Sequence, residues 1–143
     1  MKSYPAFQPK RPRHVRVPAF VPVPVRARAD GWTPARQADF LGALAETGSV
    51  LAAARRVGMA RETAYRLRAR AGAESFTAAW DAVLGREPAP RRKVTRAERM
   101  RRALGGLLKP VFYQGRHVGI VRKADNSALL GLVCDLSRGG SGR

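Results

Sequence analysis

Arg61, Glu62, Thr63, Tyr65, Arg66, Arg68 and Arg70 crowd one short stretch, and their types suit contact with a nucleic-acid duplex. A guanidinium pairs bidentately with the two acceptors that guanine shows in the major groove, and a carboxylate accepts from the cytosine amino group. Arg61, Glu62, Tyr65 and Arg66, nearer the start of the stretch, are expected to face base edges. Arg68 and Arg70 are expected to hold phosphates. Upstream, Arg55 and Arg56 are placed to grip the backbone. Arg26 and Arg28 are expected to lie along phosphates or enter a minor groove. Taken singly, each arginine also reads as an ordinary solvated helix residue.

Two short helices would position these side chains, in SVLAAARRVGMARETAYRLRARA (49–71). Ser49 can cap the first helix by accepting a backbone N–H that lacks an intrahelical partner. Val50, Ala53, Ala54 and Val57 then recur on one face. Gly58 suits the left-handed backbone of a chain leaving a helix. Met59, Ala64 and Leu67 point inward, so the arginines, Glu62, Thr63 and Tyr65 form the outer surface of the second helix. Ala60 stands where a hydroxyl or Asn/Asp cap is usual, so that helix starts poorly capped.

This stretch resembles a helix-turn-helix DNA-binding unit of the trihelical, homeodomain-like type. The likeness rests on small Ala54, Gly58 one turn later, apolar Met59 directly after it, and Ala64 and Leu67 at the spacing such units use. It implies a helix over 60–71 docked in the major groove. A weaker resemblance joins GWTPARQADFLGALAETGSVLAAARRVGMARETAYRLRARAGAESFTAAWDAVLG (31–85) to phage-type terminase small subunits, and extends loosely into 110–136. That likeness implies an oligomer that presents DNA to a large terminase ATPase.

The flanking sequence supplies the rest of the expected architecture: mainly α, a trihelical helix-turn-helix domain plus a fourth helix, then a helix–β-hairpin–helix segment. Residues 1–31 read as a disordered Pro/Arg-rich basic arm. Pro5, Pro9, Pro12, Pro18, Pro22 and Pro24 forbid a helix there, and VPVPV (21–25) favours an extended polyproline-type backbone. Residues 32–85 read as the DNA-binding domain. Its first helix is capped by Thr33, carries Pro34 in its first turn and ends at Gly48, with Phe40, Leu41 and Leu44 as its stripe. Its last, Ala73 to Leu84, places Phe76, Ala79, Trp80, Val83 and Leu84 on one side, a core pattern. Residues 86–94 read as a basic linker.

Residues 95–136 read as an oligomerisation region. A capping box, Thr95 to Glu98, opens a helix to Leu108 that Pro110 stops. Val111 to Lys123 suggests a hairpin turning at Gln114-Gly115. A last helix, 128–136, would be capped by Asp125, Asn126 or Ser127. With Leu129, Leu130, Leu132 and Val133 over a broad arc, it favours self-association. Residues 137–143 read as a flexible tail.

Composition bounds the function. Lys plus Arg number 28 against 10 Asp plus Glu, a net charge of +18 on 143 residues. Such an excess points to a polyanion: nucleic acid first, an anionic membrane surface second, and with the helix-turn-helix resemblance the expected partner is double-stranded DNA. The single cysteine, Cys134, rules out an internal disulfide and a Cys-based zinc site within one chain. No segment resembles a signal peptide or a membrane span, so a cytoplasmic, nucleoid-associated protein with no membrane partner is expected.

Catalysis is not expected. His14 and His117 lack nearby nucleophile or metal-ligand partners, no Gly-rich phosphate loop precedes a lysine, and acidic residues are scattered. No cofactor and no metal follow from the sequence. Two DNA-directed uses fit, transcription regulation and phage-type DNA packaging. A basic nucleoid or RNA-binding structural protein is the alternative, using the charge without an ordered reading helix.

Overall fold

Helix α1 (Pro34–Thr47) begins and ends where local chemistry dictates. Thr33 Oγ1 accepts from Arg36 N at 3.2 Å, Pro34 fills the first turn, and Gly48 leaves at φ +70° while donating to Leu44 O. The computed structural model describes residues 17–26, 28–86 and 94–139. After α1 come α2 (Val50–Arg56), α3 (Arg61–Arg68), α4 (Glu74–Val83), α5 (Arg96–Gly105), β1 (Leu107–Tyr113), β2 (Arg116–Lys123) and α6 (Asn126–Gly139). The described chain is thus mainly helical, with one two-stranded antiparallel hairpin.

The core is built on aromatic rings from α1, α4 and the chain that precedes α1. Phe40 of α1 meets Trp80 of α4 at 5.0 Å between centroids and Trp32 at 5.4 Å. Phe76 touches Phe20, Phe40 and Trp80. Ala53, Ala54, Ala64 and Leu67 join from α2 and α3, and Leu108 joins from β1. Edge-to-face and tilted ring pairs of this kind add about 0.5–1.5 kcal/mol each beyond their burial.

Part of the expected disordered arm is folded onto the core. Val17, Phe20, Val21 and Val23 are fully buried, so residues 17–25 form a strap across the core and not a disordered tail. Prolines 22 and 24 have no N–H to satisfy. The N–H groups of Val21 and Val23 donate to Ser75 Oγ (2.9 Å) and Gln37 Oε1 (2.7 Å). Gln37 also donates to Val23 O and Trp32 O. Phe20 and Leu108 exchange both backbone hydrogen bonds at 2.9 Å, which ties the strap to β1. The remainder of the expected arm, residues 1–16, and most of the expected linker, 87–93, lie outside the described residues.

Four boundaries also move. The reading helix expected over 60–71 ends at Arg68, so Arg70 lies beyond it. The helix expected to reach Leu108 stops at Gly105, because Gly106 adopts φ +70° against β2, where a Cβ would meet Lys123 O at 2.5 Å. Leu107, Leu108 and Pro110 therefore belong to β1. The last helix starts earlier and runs through residues 137–139, which the sequence assigns to a tail; 140–143 lie outside the described residues. Asp125 Oδ1 is its cap, accepting from Ala128 N at 3.0 Å. The hairpin turn falls at Gln114-Gly115 as expected, both at positive φ, the geometry of a two-residue type I′ turn.

The hairpin lies on α1. Gly42, fully inside α1, permits this: a Cβ there would meet the His117 ring, Cγ at 2.5 Å and Nδ1 at 2.8 Å. Beside it, Glu46 Oε2 accepts from His117 N at 3.3 Å and from Arg56 at 2.7 Å, joining α1, α2 and β2 at one carboxylate.

Candidate nucleic-acid interface

Helix α3 is held by its inner face. Ala64 and Leu67 are buried against Ala53 and Ala54 of α2, and Met59 N donates to Ala54 O at 2.9 Å across the turn. Gly58, at φ +75°, makes that turn. Both ends of the arrangement are local. Ser49 Oγ accepts from Ala52 N to start α2, whereas Ala60 gives α3 no side-chain cap. Thr63 instead turns its hydroxyl back, donating to Ala60 O at 2.6 Å.

The outer surface sorts the candidate residues into two groups. Arg55, Arg61, Glu62, Arg66 and Arg70 are exposed, and their side chains make no ion pair or hydrogen bond among the described residues. Helical geometry puts Glu62, Arg66 and Ala69 furthest from the Ala64–Leu67 face. Small Ala69 leaves the approach to Arg66 open.

The second group is already engaged. Arg68, expected at a phosphate, turns to α4, where it pairs with Asp81 at 3.2 Å and lies 4.9 Å over the Trp80 ring. Tyr65 leans on the same ring at 5.4 Å and keeps its outer edge exposed. Arg56 is held by Glu46, which fixes the end of α2. These side chains orient the elements, whereas Arg55, Arg61, Arg66 and Arg70 stay unpaired among the described residues.

The strap brings further charge near α3. Pro24 packs beside Gly72, just past α3, where a Cβ would meet the proline ring at 3.0 Å. Arg26, two residues beyond Pro24, and Arg70, two before Gly72, therefore emerge from neighbouring backbone, and Arg26 and Arg28 are both exposed. On the α4 side a groove of about 810 Å³ runs between Arg68, Arg70, Asp81, Arg86 and Arg102.

Several structural partners of this surface are silent in a linear reading. Asp81 and Glu46 look like scattered acids, yet each closes an ion pair that sets a helix. Gln37 had a readable signal: it shares the inward spacing of Phe40, Leu41 and Leu44, where an amide stands out. Among the described residues no group of three His, Cys, Asp or Glu could hold a metal ion. No helix among them is long and apolar enough to cross a membrane. No family model, curated protein or solved structure matches this chain.

Proposed function

We propose that this chain is a non-enzymatic DNA-binding protein that docks α3 in the major groove, with its basic flanks on phosphates. The observation that carries the reading is the division of charge on the helix pair. Arg61, Glu62 and Arg66 stand free on the outer surface of α3, while Arg56 and Arg68 are consumed in holding α2 and α3 in place. A merely solvated helix does not require its neighbours to be fixed. Arg66 and Glu62 would read base edges, and Arg55, Arg70, Arg26 and Arg28 would supply sequence-independent affinity.

This reading serves either of two roles, transcription regulation or recognition of DNA for packaging by a partner ATPase. The resemblance of residues 31–85 to terminase small subunits supports the second. Duplex binding titrated against salt, on a random pool and on sequences selected from it, tests the shared chemistry. Arg66→Ala is expected to reduce discrimination at one base position by about 5- to 150-fold, the equivalent of 1–3 kcal/mol. Arg55→Ala is expected to weaken all sequences alike and lower the salt slope by about one. Equal affinity of the wild-type protein for every sequence would leave only the charge-driven alternative, a nucleoid or RNA-binding protein.

A further inference from the structure

Helix α6 is turned inside out. Its inner face against α5 carries Ala128, Gly131 and Asp135, with Arg99 packed over Gly131 and paired to Asp135 at 3.3 Å. Its outer face carries Leu129, Leu130, Val133 and Leu136, exposed at 44%, 66%, 54% and 64%. A helix with solvent on its outer side ordinarily shows the opposite arrangement. The spacing from Leu129 to Val133 to Leu136 is four residues and then three, the step of a two-helix seam.

Charge singles out the occupant. In a chain of net charge +18, α6 carries only Asp135, committed to Arg99, and Arg138 near its end. An acidic partner would find no cation to pair with on this face. An anionic bilayer would find no cation beside the leucine strip, because Arg96 and Arg99 of α5 stand on the inner, Asp135 side of α6. Two identical, strongly positive chains, however, meet with least repulsion where neither presents charge. At physiological salt, repulsion between their remaining surfaces is screened beyond ~8 Å.

We propose that the outer face of α6 is a self-association surface, and that its occupant is the α6 of a second copy. A two-fold pairing places the same Leu129–Leu136 strip on both sides, as an isologous contact requires. Leu130 widens the strip beyond the seam. The 14-residue helix offers about 21 Å of contact length.

Sedimentation equilibrium in high salt, on protein freed of nucleic acid, tests this independently of any DNA reading. The wild-type chain is expected at twice its 15.6 kDa mass. Leu130→Glu and Val133→Glu are expected to weaken self-affinity on the order of 100-fold or more, because each would bury an unpaired carboxylate. Leu104→Glu, at a side chain of α5 that is 75% exposed, is expected to keep the dimer. A spin label on Cys134, the single and exposed cysteine, is expected to report an intermolecular distance on the order of 20–30 Å, the helix separation plus two label arms. A monomeric wild type, or a dimer mass that survives both glutamate variants, overturns the proposal.

Discussion

Substituting Gly42 with alanine tests whether the hairpin is seated on α1, because the two possible answers have opposite signs. Gly42 lies in the middle of α1 with ordinary helical φ, so in an isolated helix alanine would stabilise by about 1 kcal/mol. In the folded chain the new Cβ would stand 2.5 Å from His117 Cγ and 2.8 Å from Nδ1. Cγ sits one bond from the His117 Cβ and cannot swing clear, and the His117 backbone is tied to Glu46. The hairpin itself must move. One extra carbon in a packed site costs about 1–3 kcal/mol, so the net loss is expected near 2 kcal/mol, toward the upper end. At roughly 4 °C per kcal/mol for a chain of this size, Gly42→Ala lowers Tm by about 8 °C. In a His117→Ala background the overlap is gone, and the same change is expected to raise Tm by about 4 °C. Thermal unfolding of the four proteins of this cycle measures a coupling near 3 kcal/mol. If Gly42→Ala raises Tm in both backgrounds, the hairpin is not on α1 and the shared core described above is wrong.

Two further substitutions separate structure from recognition. Gln37→Leu keeps the volume but leaves Val23 N–H, Val23 C=O and Trp32 C=O without their partner; a loss of about 2–4 kcal/mol is expected, with faster proteolysis within residues 17–31 under native conditions. Arg68→Ala removes the Asp81 pair and the contact with Trp80, so it is expected to cost about 1 kcal/mol of stability by denaturant titration while lowering DNA affinity less than Arg66→Ala does; the reverse order would return Arg68 to a phosphate.

What a linear reading can see depends on where an element's partners lie. Helix α1 was fully legible because Thr33, Pro34 and Gly48 act within a turn of themselves. The Gln114-Gly115 turn was legible for the same reason. The strap was not, since an extended proline-rich backbone makes no hydrogen bonds of its own. Its fate rests on Gln37, 14 residues away from Val23, and on Ser75, 54 away from Val21. Alternation does carry a trace of it: in VPVPV the buried valines are the residues with N–H groups to place, and the prolines between them have none. The end of α5 misled for a related reason. Leu107 and Leu108 extend the apolar period of Met100 and Leu104, but Gly106 closes on a β2 carbonyl that only the folded hairpin supplies. On α3 the residue types pointed outward correctly for Arg61, Glu62 and Arg66. They could not reveal that Arg68 is taken by Asp81, because that pairing depends on the angle between α3 and α4.

The strap and hairpin also decide what the smallest folded unit is. The resemblance to helix-turn-helix units would suggest residues 32–85 as sufficient. Removing the rest takes away Val17, Phe20, Val21, Val23 and Leu108, each at most 5% exposed in the shared core. At about 1.5–3 kcal/mol for each buried side chain, the loss is on the order of 10 kcal/mol. That matches the whole stability of a typical domain, about 5–15 kcal/mol. It would also bare Phe76 and leave Gln37 and Ser75 buried without the strap amides they accept from. A 32–85 fragment is therefore expected to lack a cooperative thermal transition and to show dispersed amide resonances only when residues 17–31 and 94–123 are restored. A fragment 32–85 that unfolds cooperatively, with a Tm near that of the full chain, would show that four helices suffice and that strap and hairpin are additions to a finished core.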